Sequence, residues 1–256
     1  MGIGQRDTSR KNLTMITING ELVTPTIFPD GTQQVWKLRD VIGEDNIVRW
    51  DYDGDHEIVT LWQLSLLANN ITLYCDFLPY GRQDKEVSNE FTFGLTSFIQ
   101  MLAGMGIKTL VTIDAHSEVP KRLCREYGVE YYDIYPEHSI NYALNDSNCD
   151  MVCYPDKGAS KRYKIDLPSV ILDKVRDQST GEIVGLKVIE RTPQEHILII
   201  DDICDGGRTF CESAKLLKTY GATVDLYITH GIFSKGTGVL YASGIGKIYT
   251  KDGIVP

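Results

Sequence analysis

Five apolar runs, each closed by an acidic residue, constrain this chain more than any other feature. Ile71-Thr-Leu-Tyr-Cys75 meets Asp76, and Thr109-Leu-Val-Thr-Ile113 meets Asp114. Met151-Val-Cys-Tyr154 leads to Asp156, Val170-Ile-Leu172 to Asp173, and Ile197-Leu-Ile-Ile200 to Asp201-Asp202. Near-continuous β-branched and aliphatic runs of this length fit strands covered on both faces, as in a parallel sheet. Helical spacing fills the gaps. Phe91, Leu95, Phe98, Ile99 and Leu102 repeat along one face before Gly104 and Gly106, and Phe210, Ala214 and Leu217 do so before Gly221. Alternating strands and helices with short links predict an α/β fold with mostly parallel sheets. Asp114-Ala-His116 and Asp201-Asp202 both end a strand that follows a helix, which predicts two similar halves. The polar stretch 136–148 divides them, giving 1–140 and 141–256, with 1–14 a poorly ordered leader.

Composition limits what such a fold can serve. The 26 basic and 35 acidic side chains leave a net charge of −9. A chain held mainly by nucleic-acid phosphates or an anionic membrane carries the opposite balance. No window approaches the roughly 20 apolar residues of a membrane span, and the polar N-terminus lacks the apolar segment of a secretory signal. Cysteines 75, 124, 149, 153, 204 and 211 have no framework spacing, so buried free thiols are expected. Cys149 and Cys153 form a lone C-x3-C with no second pair, a poor zinc site. These features predict a cytoplasmic protein.

The segment Ile197-Leu-Ile-Ile-Asp-Asp-Ile-Cys-Asp-Gly-Gly-Arg-Thr-Phe210 carries the strongest chemistry. A buried strand delivers paired carboxylates to the carboxyl edge of the sheet, where open α/β folds bind ligands. A glycine pair then opens a helix whose free N–H groups suit a phosphate. Arg208 adds a cation and Thr209 a hydroxyl. Acids for ring hydroxyls or a metal beside a phosphate nest suit a sugar phosphate, although the same pattern also describes an acidic turn capping a helix.

This segment resembles the phosphoribosyl-binding loop shared by type I phosphoribosyltransferases and phosphoribosyl diphosphate (PRPP) synthetases. The resemblance implies that Asp201 and Asp202 take the ribose hydroxyls, and that Asp205, Gly206, Gly207, Arg208 and Thr209 take the 5-phosphate. The family loop more usually reads Asp-Thr-Gly-Gly-Thr, so Gly206 and Arg208 depart from it. Phe77-Leu-Pro-Tyr-Gly-Arg-Gln-Asp-Lys85 is similar to the synthetases' Pro-Tyr-Ala-Arg-Gln-Asp, which phosphoribosyltransferases lack. Arg82 offers a fork for a phosphate chain and Gln83 a donor–acceptor pair, and the resemblance assigns both to ATP.

Further segments follow in the family's order. Asp114-Ala-His-Ser117 resembles Asp-Leu-His, which implies that His116 binds metal–ATP and assists catalysis. Tyr154-Pro-Asp-Lys-Gly-Ala-Ser-Lys-Arg162 resembles the diphosphate loop, with Asp156, Lys157, Gly158 and Ala159 at its centre and Asp156 as a magnesium ligand. Asp173-Lys-Val-Arg176 resembles the start of a catalytic flexible loop, where Lys174 and Arg176 would stabilise charge on the leaving group. Ile27-Phe-Pro-Asp-Gly-Thr32 resembles Phe-Ser-Asp-Gly-Glu, which supplies adenine contacts to a neighbouring subunit. Phe28 would stack on the base and Asp30 accept from its amino group, with Thr32 replacing Glu. Thr229-His-Gly-Ile-Phe-Ser234 resembles a late family segment, and His230 reads as structural or near the ribose phosphate.

The resemblance implies two phosphoribosyltransferase-like domains, an N-terminal ATP-binding half and a C-terminal half for ribose 5-phosphate. It implies a ribose-phosphate diphosphokinase that uses Mg2+ and ATP, in a homo-oligomer. A phosphoribosyltransferase consuming PRPP and a non-catalytic regulatory relative remain alternatives. Synthetases of this family are generally longer than 256 residues, so hexameric assembly and regulation are the least transferable properties.

Overall fold

A computed structural model describes residues 15–86, 90–176, 183–190 and 196–256. The leader expected at 1–14 lies outside them. The chain divides into two compact units, Met1–Ile134 and Tyr135–Pro256.

The first unit runs β1 (Ile16–Ile18), β2 (Glu21–Leu22), β3 (Thr26–Ile27), β4 (Gln33–Gln34), β5 (Asn46–Trp50), α1 (His56–Leu67), β6 (Ile71–Tyr74), α2 (Gly94–Gly104), β7 (Thr109–Ile113), α3 (Val119–Glu126) and β8 (Glu130–Ile134). Its main sheet has the order β2-β1-β5-β6-β7-β8, parallel from β5 to β8 and antiparallel at β1 and β2. β5 escapes the apolar-run pattern because it alternates. Asn46, Val48 and Trp50 face the core, while Ile47 and Arg49 face out. Helix α2 begins at Gly94, not at Phe91, which is exposed. Gln83 sets that start. Its carbonyl accepts from Leu95 N at 3.2 Å, and its side chain occupies the space where a Cβ on Gly94 would project. Leu95, Phe98, Ile99 and Leu102 bury the predicted face.

The second unit runs α4 (Glu137–Ser147), β9 (Met151–Tyr154), α5 (Lys157–Arg162), β10 (Ser169–Arg176), β11 (Ile183–Glu190), β12 (His196–Cys204), α6 (Arg208–Lys218), β13 (Thr223–Gly231), α7 (Gly238–Ala242), β14 (Ile245–Thr250) and β15 (Gly253–Val255). The sheet order is β11-β10-β9-β12-β13-β14-β15, with antiparallel strands only at the two edges. Helix α4 belongs to this unit, because Ile140 and Ala143 pack with Tyr227 and Tyr249. The division therefore falls before α4 and not within it.

The interior strands are buried on both faces, as their composition predicts. On β12, Ile197 and Ile199 join one core cluster, and Leu198 and Ile200 join the other. The chain steps from β9 outward to β10 and returns to pair β12 on the other side of β9. The carboxyl ends of β9 and β12 thus flank a topological switch point, where such sheets form a ligand crevice.

Four of the six cysteines are buried and all are free thiols. Burial pushes the Cys124 and Cys204 thiols up to about 12, so they are packing groups rather than nucleophiles. Cys153 is buried within β9. Among the described residues no group of three His, Cys, Asp or Glu could hold a metal by itself, and no helix is long and apolar enough to cross a membrane.

Candidate active site

In the second unit, β12 does not stop at the paired acids. Asp201 aligns with Ile228, and pairing continues to Cys204 opposite Gly231. The long β13 keeps the ladder supplied with partners, so the strand carries both carboxylates. Alternation along a strand sends neighbouring side chains to opposite faces, and Asp202 turns to the α5 side, where it is 3% exposed. There the Arg162 guanidinium meets it, with Nη1 2.8 Å from Asp202 Oδ1 and 4.0 Å from Asp201 Oδ1. Burial, then repulsion by Asp202 and by Asp156, push the Asp201 carboxyl well above its ordinary range. Three acids therefore converge on one edge with one guanidinium among them.

Helix α5 connects this pair to the predicted diphosphate loop. Asp156 caps its start, its Oδ1 accepting from Gly158 N at 2.8 Å and Ala159 N at 3.1 Å. Lys157 and Gly158 are exposed, Ala159 is buried, and Arg162 closes the helix. The sequence motif included Arg162, but no local signal distinguished it from Lys161 as the residue that turns inward.

After β12, Gly207 adopts φ +74° and starts α6. A side chain there would be strained, and its Cβ would stand 2.9 Å from Leu240 Cδ2. The turn leaves the first N–H groups of α6 toward the crevice edge. Arg208, expected to supply a cation, is instead turned along the helix to Glu212 at 2.8 Å and is 79% exposed. Thr209 lies in the first turn, its carbonyl accepting from Ser213 Oγ at 2.8 Å. His230, read as structural or near the ribose phosphate, is buried within β13.

Lys174 and Arg176, expected to open a flexible loop, lie in a strand. Their backbone pairs opposite Leu186 and Ile183 in the β10–β11 ladder. The polar stretch 177–182 lies outside the described residues.

In the first unit, the 77–85 segment leaves β6 as a sequence of turns, with Gly81 N donating to Leu78 O and Gln83 N to Tyr80 O. Tyr80 sits at φ +62° and anchors the segment. Its hydroxyl donates to Asp55 Oδ1 at 2.7 Å, which also accepts from Tyr52 at 2.6 Å, and its ring packs 5.3 Å from Phe98. The two phenols hold the Asp55 carboxyl below its usual range, and the Tyr80 phenol rises to about 12. Arg82 and Gln83 are thereby held exposed at the carboxyl edge of β6.

His116 follows β7 through Asp114, which is buried with φ +50°. Asp133 on β8 fixes this bend. Its Oδ1 accepts from Ala115 N and from Thr112 Oγ1, both at 3.0 Å. Neither Asp55 nor Asp133 stood out in the sequence, since each acts on a distant segment. Phe28 and Asp30 occupy the exposed turn between β3 and β4. Thr32 donates to Asp30 Oδ1 from both its N–H, at 3.0 Å, and its hydroxyl, at 2.7 Å. These bonds lower the Asp30 pKa.

Doubly covered sheets, a switch-point crevice, paired acids and a glycine turn entering a helix define an α/β protein of phosphoribosyltransferase type. Residues 159–240 match the phosphoribosyl transferase domain family. Ribose-phosphate pyrophosphokinase of Cereibacter sphaeroides is 30% identical over 180 residues, covering 65% of this chain and 52% of the relative. The enzyme of that name from Saccharolobus solfataricus is 27% identical over 214 residues, covering 77% and 71%. PRPP synthetase from Mycobacterium smegmatis shares the fold, with a TM-score of 0.73 and 21% identity over 88% of this chain and 78% of that one. Over most of its length the chain is therefore similar to ribose-phosphate pyrophosphokinases. It spans about half to seven tenths of the length of these curated relatives.

Proposed function

We propose that this chain is a ribose-phosphate diphosphokinase, transferring the β,γ-diphosphoryl group of ATP to the anomeric hydroxyl of ribose 5-phosphate to give PRPP and AMP. The observation that carries this reading is the switch-point edge of the second unit. Asp201 and Asp202 end one side of the crevice, the Asp156 loop ends the other, and the Gly207 turn adjoins them.

Asp201 and Asp202 accept the ribose hydroxyls, and Asp205, Gly206, Gly207 and Thr209 surround the 5-phosphate. Arg82 and Gln83 bind the nucleotide phosphates, and Phe28 and Asp30 bind adenine. The anomeric oxygen bonds to the β-phosphorus as the bond from that phosphorus to the oxygen leaving with AMP breaks, and the hydroxyl proton is released to water. Lys174 and Arg176 stabilise charge on the transferring group by position alone, without a covalent intermediate. Lys157, Gly158 and Ala159 receive the diphosphate.

A magnesium ion would supply charge neutralisation at phosphate oxygens, with Asp156 the carboxylate proposed to hold it in the second unit and His116 the metal–nucleotide ligand proposed in the first. The crowded acids fit a hard cation, since Asp201 is under repulsion from both Asp202 and Asp156. Magnesium needs only one or two carboxylates when substrate phosphates complete its shell. We also read the protein as cytoplasmic and as a homo-oligomer in which Phe28 and Asp30 serve a neighbouring subunit.

Incubation with ribose 5-phosphate and Mg-ATP, without a nucleobase, tests the reading. Equal amounts of AMP and PRPP are expected. Turnover only with PRPP and a base would overturn it in favour of a phosphoribosyltransferase, and nucleotide binding without turnover would identify a regulatory relative.

A further inference from the structure

The proposed phosphate turn has lost the cation expected within it, because Arg208 is committed to Glu212. A different cation lies over the turn. The open side of Gly206, where a side chain would project, is 3.5 Å from Lys235 Cε, 3.6 Å from its Cδ and 3.9 Å from its Nζ. Among the described residues Lys235 forms no ion pair.

The side chain of Lys235 is exposed, and the surroundings fix the backbone of the turn that carries it. Its backbone belongs to the turn after β13, where Ile232 N and Phe233 N both donate to Cys204 O, at 2.9 and 3.1 Å. Gly236 N closes the turn on Phe233 O at 2.7 Å, with Phe233 at φ +46° and Gly236 at φ +71°. The segment just beyond packs on the phosphate turn, with Leu240 and Val239 against Gly207 and Val239 O accepting from Cys211 Sγ. The end of β12, the phosphate turn and the lysine turn therefore form one packed assembly.

Gly206 completes the arrangement. A Cβ at that position would stand in van der Waals contact with the Lys235 stem. The missing side chain and the added cation are complementary.

We propose that Lys235 is the phosphate-recognising cation of this site, selecting a sugar that carries a terminal phosphate dianion over the same sugar without it. The proposal rests on the reading of the 205–209 turn as the 5-phosphate site. An ammonium adds a point charge above a ring of N–H donors, which is how a lysine commonly joins a backbone phosphate nest.

Lys235→Met and Lys235→Arg test it by calorimetric titration with ribose 5-phosphate and with ribose, alongside steady-state kinetics. A urea midpoint near that of the unaltered chain establishes that each variant is folded. Lys235→Met should weaken ribose 5-phosphate binding about 10- to 100-fold, the loss of one charge-assisted contact. Ribose binding and the KM for ATP should be unchanged, and Lys235→Arg should retain most of the affinity. Unchanged ribose 5-phosphate affinity in a folded Lys235→Met variant would overturn the proposal. If the unaltered chain binds ribose 5-phosphate through Lys235 but makes no PRPP, the diphosphokinase reading fails and the phosphate role stands. If it binds no ribose 5-phosphate, both fail.

Discussion

Arg162 Nη1 stands 2.8 Å from Asp202 Oδ1 in the crevice of the second unit, the cation rising from the last turn of α5 and the acid from β12. Both side chains are largely buried, at 19% and 4% exposure. Removing one partner of such a pair leaves a charge with neither water nor counterion. Arg162→Met should cost about 3 kcal/mol in urea unfolding at pH 7. It should also raise the KM for ribose 5-phosphate more than that for ATP. Arg162→Lys should recover part of the stability, and equal stability in the Met variant would show that the pair is not coupled.

Asp201 carries the opposite kind of strain. Its folded-state pKa lies above that of the unfolded chain, so the native state holds a proton that the unfolded chain has released. Its contribution to stability therefore falls as pH rises above about 4. Asp201→Asn removes that penalty. The variant should be more stable than the unaltered chain at pH 7, by an advantage that shrinks toward pH 4, while ribose 5-phosphate turnover collapses. An advantage independent of pH would contradict the assignment.

Tyr80 and Asp55 give the 77–85 loop, proposed to bind nucleotide, its shape. Tyr80→Phe deletes one bond to the shared Asp55 oxygen and should cost about 1 kcal/mol of stability. The KM for ATP should rise up to about fivefold, the affinity equivalent of that loss, with the KM for ribose 5-phosphate unmoved. Asp55 itself has a lowered pKa, so its contribution is present above about 4 and is lost as pH falls through the lower folded-state value. The stability gap between the two proteins should narrow on that acid limb.

Lys174 is assigned to charge that grows only as the diphosphoryl group moves. Lys174→Ala should lower kcat by about 100-fold or more, with the Kd for ATP changed less than about threefold. Rapid-quench measurement of PRPP formation and equilibrium nucleotide binding separate the two effects. An unchanged kcat would remove Lys174 from the chemistry.

The parts of this protein legible in the sequence are those written in consecutive residues. The runs at Thr109–Ile113 and Met151–Tyr154 became buried strands with the predicted bounds, because a strand covered on both faces must be apolar throughout. β5 was illegible because Asn46 and Arg49 interrupt its apolar pattern, as its one-sided burial allows. The β12 acids were found, but the end of their strand was misplaced, because β13 and not β12 decides how far pairing extends. Arg162, Asp55, Asp133 and Lys235 share one cause of invisibility. Each, Arg162 included although it ends a motif, acts on a segment brought close only by folding, as with Thr112 and Asp133 across two strands. Arg208 shows the converse: it sits in the motif and spends its charge on its own helix.

Helix α5 has six residues, with an acid capping its first turn and the crevice arginine closing its last. Each residue of an α-helix advances the side-chain direction by about 100°. One residue inserted between Asp156 and Arg162 would swing the guanidinium away from Asp202 while leaving every motif residue present. The spacing of those two residues is thus a length standard that joins the Asp156 end of the crevice to its Asp202 end. A residue gained or lost in that segment removes the counterion of Asp202 even when every side chain around it is kept.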